Sequence, residues 1–225
     1  CRQFKIRPII EGRDIKVISL GLRGTDQVVR VRSKKQDYGK MRLSLLGEHQ
    51  LKNAGVAIGL IECLKDQGAQ VPAVAIRRGL ANCFWPCRFE IVSKNPIVIL
   101  DGAHNRASID AVMKTLGDVY PKKRIRMIVG LSSDKDVINL FKGLKKKFTK
   151  VILTRSHHPR AADLDVEQFK RLLFAHEFVK TQDVQSAVKE ALRDCQKSEV
   201  IIVLGSLFVV SEVREIIIKE VRGKL

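Results

Sequence analysis

Aromatic residues are scarce, with one Trp, two Tyr and nine Phe in 225 residues. A core must therefore come mainly from Val, Ile, Leu and Ala, which the 45% hydrophobic content can supply. Long apolar runs are missing too. The longest, Val200 to Val210, is broken by Gly205-Ser206 and falls short of the roughly 18 residues a membrane helix needs. No apolar leader follows Cys1-Arg2-Gln3, so no signal peptide is read. The five cysteines are an odd number in a chain too large to need disulfide staples, which fits a reducing cytoplasm. Cys83 and Cys87 have the spacing of half a metal site, without a second half nearby to complete a four-ligand set. Three glycine motifs are absent: the Gly-x-x-x-x-Gly-Lys-Ser/Thr phosphate loop, Gly-x-Gly-x-x-Gly and Gly-x-Ser-x-Gly. If a nucleoside triphosphate is bound, its principal phosphate cradle lies outside this chain. The chain has no initiator Met and opens inside what reads as a strand, so it is expected to be a piece of something longer.

Acidic residues are outnumbered, 24 against 42 Lys and Arg, and the net charge of +18 divides evenly about residue 85. An even spread without zinc-finger spacing or an aromatic-basic RNA motif disfavours nucleic acid. It favours a field that attracts small anions. The densest cluster, Lys142 to Lys150, reads as the solvated face of a helix and the turn after it.

Residues 3 to 46 read as short strands at Phe4–Ile6, Ile15–Leu20, Val28–Val31 and Met41–Leu45, with Gly21, Gly24 and Asp37-Tyr38-Gly39 as turns. From His49 to Lys65 the apolar period becomes helical, Gly68 suits its stop, and Pro72 opens a second helix through Leu80. After Trp85, apolar strands alternate with helices. Strands are expected at 97–100, 125–129, 151–153, 178–179 and 200–204, and helices at 107–116, 137–147, 166–174, 184–192 and 207–221. That alternation predicts an α/β fold: a Rossmann-like, mostly parallel sheet with helices on both faces. The expected domains are 1–84 and 85–225.

In such sheets, ligands sit beyond the carboxyl ends of the strands. Leu100-Asp101-Gly102-Ala103-His104-Asn105 follows a buried strand directly. Asp101 can accept from ribose hydroxyls or hold a cation, and Gly102 lets backbone approach a ligand. Asn105 can equally be a helix cap. Arg88, in Trp85-Pro86-Cys87-Arg88, offers a fork to phosphate, or is an ordinary surface residue of a linker. Asn53 can pair with an adenine edge, or simply be polar surface in a helix's first turns. Ser132 to Asp136, Thr154 to Arg160 and Gly205-Ser206 also follow strands and are expected on the same edge as Asp101. Ser206 can equally cap a helix. Adjacent His157 and His158 rarely face one metal ion.

Together these segments resemble the folylpolyglutamate synthase/dihydrofolate synthase family of the Mur ligase superfamily. The resemblance rests on six motifs in order: Gly47-x-His49-Gln50-x-x-Asn53-Ala54, Trp85-Pro86-x-Arg88-x-Glu90, Asp101-Gly102-Ala103-His104-Asn105, Asp134-Lys135-Asp136, Pro159-Arg160-Ala161-Ala162-Asp163 and Gly205-Ser206-Leu207. It implies the end of a P-loop ATPase central domain followed by the Rossmann-like C-terminal domain. It further implies that Asn53 holds adenine, Arg88 a phosphate and Asp101 the ribose. His104, as a catalytic and substrate-binding residue, and Ser206 would hold incoming L-glutamate. The implied reaction joins L-glutamate to a folate or dihydropteroate carboxylate through an acyl phosphate, with ATP and with Mg2+ whose ligands lie mostly elsewhere. A cytoplasmic monomer is expected, inactive as this chain alone. The rivals are a ligase acting on peptidoglycan precursors and a basic nucleic-acid-binding module. Two positions depart from the family, Cys87 where Gly is usual and Arg106 where Pro is usual.

Overall fold

The computed structural model describes residues 7–222; the expected strand at Phe4–Ile6 lies outside them. The chain divides into two compact units, Cys1–Trp85 and Pro86–Leu225.

In the first unit, β1 (Ile15–Arg23), β2 (Asp26–Ser33) and β3 (Asp37–Leu43) form an antiparallel sheet in chain order. Period-two alternation sends Ile15, Val17, Val29, Val31, Met41 and Leu43 to one face, where α1 (Glu48–Asp66) and α2 (Ala73–Ala81) cover them with Ala54, Ile58 and Ile76. Asp37-Tyr38-Gly39 is strand rather than the expected turn. The Tyr38 ring is 2% exposed, and its hydroxyl donates to the buried Glu62 carboxylate at 2.9 Å. That tertiary anchor outweighs the local turn preference of the Asp and Gly beside it.

The second unit runs β4 (Glu90–Lys94), β5 (Ile97–Leu100), α3 (Arg106–Val119), β6 (Arg124–Val129), α4 (Val137–Phe141), β7 (Lys147–Leu153), α5 (Val166–Leu172), β8 (Phe174–Lys180), α6 (Val184–Leu192), β9 (Glu199–Leu204) and α7 (Leu207–Arg222). The sheet order is β4-β5-β9-β6-β7-β8. All neighbours are parallel except the edge strand β4, which pairs antiparallel with β5. Val98, Leu100, Ile128, Ile201 and Val203 pack on α6 and α7. Residues of opposite parity, such as Ile99, Met127 and Ile202, are just as buried, so the sheet is covered on both faces, as its unbroken apolar strands require.

Three expectations fail locally. Strand β4 has no mark in the sequence, because Glu90-Ile91-Val92-Ser93-Lys94 has no sustained apolar run; in the structure it is only partly buried. The helix expected over 137–147 ends at Phe141, where Gly143 turns at φ 78°. The lysine cluster is therefore not one solvated helix face. Lys147 already begins β7, and the Lys150 side chain, 9% exposed, pairs with Glu190 at 2.6 Å and Glu177 at 2.9 Å. Helix α5 stops at Leu172, and Phe174 opens β8, a fuller strand than the weak one expected.

At the amino edge of the sheet, Arg126 is buried against Glu199, with Nη2 at 3.0 Å from the carboxylate. The same guanidinium donates to the carbonyls of Ala191, Arg193 and Asp194, at 3.3, 2.6 and 3.0 Å. One cation thus satisfies both a buried carboxylate and the carbonyls at the end of α6.

Candidate functional site

Because β5, β9, β6 and β7 are parallel, their carboxyl ends open on one edge, and hydrogen bonds lace the loops there together. Asp101 N–H donates to Val203 O at 3.0 Å and Gly205 N–H to Ala103 O at 2.8 Å, which locks the turn after β5 to the one after β9. Ser133 N–H donates to Arg160 O at 2.8 Å and Ala162 N–H to Leu131 O at 2.9 Å, which joins the loops after β6 and β7. Gly205 sits at φ 107°, and a Cβ there would lie 2.6 Å from Gly130 O. Only glycine allows these two turns to approach so closely.

Asp101 is 5% exposed. Its Oδ2 accepts from Phe89 N–H and its Oδ1 from Ala103 N–H, both at 2.8 Å. Burial pushes its pKa up to about 6, against the pull of those two donors and of the Arg88 and His104 charges. Desolvation outweighs the hydrogen bonds here. The carboxylate clamps the Arg88 loop to the turn after β5. Gly102 N–H reinforces the clamp by donating to Cys87 O at 2.8 Å.

The Arg88 loop is an unusual piece of backbone. Cys87 and Phe89 on either side of Arg88 both have positive φ, 58° and 43°. Their side chains are buried while Arg88 is exposed. Glu90 holds the loop by accepting from Cys87 N–H at 2.8 Å, and Arg214 Nε grips Glu90 at 3.0 and 2.9 Å. The guanidinium of Arg88 has no hydrogen-bond or ion-pair partner among the described residues.

His104 is exposed. Its Nδ1–H donates to Gly102 O at 2.8 Å. A carbonyl can only accept, so the neutral ring carries its proton on Nδ1 and presents Nε2 as an acceptor. Asn105 caps α3, accepting from Ser108 N–H at 2.9 Å, while Ser108 Oγ returns the bond to the Asn105 backbone N–H at 3.1 Å. Arg106 is occupied with Asp110 at 2.7 Å and with Lys142 O, so its charge is committed to bracing α3. Ser206 is 5% exposed, and its Oγ accepts from Phe208 N–H at 3.3 Å in the first turn of α7.

The structure thus gathers Arg88, Asp101, His104 and Ser206 at one sheet edge. Asn53 belongs to the first unit, on α1, where it is exposed and donates to Gln50 Oε1 at 3.0 Å. The two histidines after β7 have different partners. His157 Nδ1 lies 3.0 Å from Glu212, and His158 stacks on Phe208 with centroids 3.7 Å apart. Among the described residues no group of three or more His, Cys, Asp or Glu could hold a metal ion, and no helix is long and apolar enough to cross a membrane. Sequence reasoning missed the Glu90–Arg214 brace and the Phe208 ring. The braced residues are 124 positions apart, and nothing local marks either.

A family model described as Mur ligase, glutamate ligase domain, matches residues 87–207. The chain is 36% identical over 176 residues to a probable bifunctional folylpolyglutamate synthase/dihydropteroate synthase of Halobacterium salinarum, covering 76% of this chain and 20% of that protein. It is 30% identical over 182 residues to the dihydrofolate synthase/folylpolyglutamate synthase of Bacillus subtilis, covering 79% and 41%. Among solved structures, it is similar to Mycobacterium tuberculosis folylpolyglutamate synthase complexed with ADP and AMPPCP, with a TM-score of 0.78 and 27% identity over 92% of this chain and 48% of that one. Thermotoga maritima folylpolyglutamate synthase gives 0.79 and 27%, over 97% and 50%. The chain therefore spans less than half the length of these curated relatives and about half that of the solved chains. An α/β unit with this sheet, this edge and these matches belongs to the Mur ligase family, with residues 87–207 as its glutamate ligase domain.

Proposed function

We propose that the chain supplies the amino-acid-accepting part of an ATP-dependent ligase. The enzyme would join L-glutamate to the carboxylate of folate or dihydropteroate through an acyl phosphate. The observation that carries this reading is the convergence of Arg88, Asp101, His104 and Ser206 on the carboxyl edge of the second unit's sheet. Arg88, an unpaired fork on a braced loop, suits a nucleotide phosphate. Asp101, beneath it, orients that loop and takes the ribose through its remaining lone pairs. Nε2 of His104 can accept a proton from the incoming ammonium, which must be lost before nitrogen attacks. His104 and Ser206 together hold the glutamate, and on the first unit, taken by itself, Asn53 offers an amide suited to an adenine edge.

The first unit is read as the end of a P-loop ATPase domain, residues 1–84, and the second as the C-terminal ligase domain, residues 85–225. Bound nucleotide would supply phosphoryl activation, and Mg2+ would neutralise its charge. No described residue is assigned to the metal. The protein acts as a cytoplasmic monomer. The names of the relatives favour folate-type acceptors over peptidoglycan precursors.

The test is ATP-dependent incorporation of labelled L-glutamate by the full-length protein, offered dihydropteroate, folylpolyglutamate and muropeptide acceptors in parallel. Incorporation on a pterin acceptor is expected from the full protein and not from residues 1–225 alone. Transfer to the muropeptide only, or activity by residues 1–225 alone, refutes the reading.

A further inference from the structure

We infer that Arg214 is a positioning residue for nucleotide binding: through Glu90 it holds the backbone that aims Arg88. This rests on the ligase reading above and deepens it.

Arg88 stands between Cys87 and Phe89, both in the left-handed region at φ 58° and 43°. Neither is a residue that favours that region, so the backbone keeps this shape only while its surroundings hold it. Three hydrogen bonds do so. Phe89 N–H donates to Asp101, and Cys87 O accepts from Gly102 N–H, both at 2.8 Å. These two fix the loop to the turn after β5. The third, from Cys87 N–H to Glu90 Oε2 at 2.8 Å, closes the loop on itself across Arg88.

That closure depends on where the Glu90 carboxylate stands, and Arg214 of α7 sets it. Arg214 Nε lies 3.0 Å from Oε1 and 2.9 Å from Oε2. The Glu90 side chain is 10% exposed, and a carboxylate so sheltered is costly to leave without its cation. Deprived of Arg214 it would turn toward water, and Cys87 N–H would lose its acceptor. Helix α7 is a firm base for the grip, since Val209, Val210 and Val213 are buried in the core that also takes Cys87. A guanidinium grips phosphate well only when its fork is held to within about 0.5 Å of the productive geometry. A slackened loop therefore weakens phosphate binding even with Arg88 intact. The residues assigned to glutamate hang on other bonds, His104 on Gly102 O and Ser206 on Phe208 N–H, so the loss should fall on ATP alone.

The experiment measures KM for ATP, L-glutamate and the pterin acceptor in full-length wild type, Arg214→Met, Arg214→Gln and Arg214→Lys. Arg214→Met is expected to raise KM for ATP about tenfold, roughly 1.4 kcal/mol, while the other two KM values hold. Arg214→Gln, which can still donate to Glu90, should raise it less, and Arg214→Lys should return it toward wild type. Affinity for a non-hydrolysable ATP analogue is compared in Arg88→Ala with and without Arg214→Met. The second change should add nothing, because it acts through Arg88. Thermal unfolding identifies the variants that fold, and if Arg214→Met does not, Arg214→Gln decides on the same readouts. An unchanged KM for ATP in the deciding variant overturns the inference. So does an equal rise in all three KM values, a loss confined to kcat, or an effect that adds to that of Arg88→Ala. A wild type that joins L-glutamate to neither pterin acceptor overturns the parent reading, and this inference with it.

Discussion

Replacing Asp101 by Asn sets two effects of burial against each other at one position. In the wild type the carboxyl is 5% exposed, so solvent screening discounts little. Its pKa of about 6 stands above the ordinary value of 3.8, so the folded chain holds this proton more tightly than the unfolded chain does. The stability linked to that proton is fully present below about pH 4 and is lost as pH rises through about 6. The loss amounts to roughly 3 kcal/mol at 1.36 kcal/mol per unit. Asn carries no charge and removes that loss. It also replaces one acceptor oxygen with an NH2 group facing Phe89 N–H or Ala103 N–H, leaving a buried donor unpaired at a cost of about 1–3 kcal/mol. The variant should therefore be less stable than wild type near pH 4 and close to it near pH 7. Denaturant unfolding of both proteins at the two pH values reads the difference, and the 13C shift of the Asp101 carboxyl reads its titration directly. A stability gap that is the same at both pH values, with the carboxyl titrating at or below its ordinary value, refutes the argument. It would mean that the two backbone donors, not desolvation, govern this group.

Cys87→Gly should relieve about 1 kcal/mol of left-handed strain at φ 58° and lose a similar amount of buried contact. Cys87→Val, β-branched at the same φ, should be clearly destabilised, and thermal unfolding compares the two. Gly205→Ala should cost about 3 kcal/mol or more, because its Cβ meets the Gly130 carbonyl and its φ stays positive; an unchanged melting temperature would contradict the packing described. Arg126→Met should cost roughly 3–5 kcal/mol by stranding Glu199 and three carbonyls, measured as a shift in denaturant midpoint.

Much of this arrangement was legible because burial writes itself into the chain as period. The unbroken apolar stretches 97–100 and 200–204 marked the strands, and each strand's end marked where a loop would reach the common edge. That is why Asp101, His104 and Ser206 stand out in the sequence, whereas Arg88 follows no apolar stretch and is marked only by the Trp85-Pro86-Cys87-Arg88 segment and the family resemblance. Features that depend on partners distant in sequence were not legible. Lys150 looks like every other lysine in its cluster until Glu177 and Glu190 are placed beside it, and β4 has no reason to be a strand until β5 offers a ladder. The backbone of Cys87 and Phe89 is also invisible from residue type, since neither residue favours positive φ. It goes with two partners distant from the local pattern, the buried Asp101 that accepts from Phe89 N–H and the Glu90 carboxylate that accepts from Cys87 N–H.

The position of β9 has a consequence for assembly. This strand is the last of the nine to be translated among the described residues, yet it lies between β5 and β6, each of which hydrogen-bonds to it rather than to the other. Until it arrives, a ribosome-bound chain holds two half-sheets whose raw apolar margins have nothing to pair with. Closure from such distant parts is slow, and exposed margins invite association with other chains. Nascent chains that stall before residue 199 are therefore the form of this protein in greatest need of a chaperone.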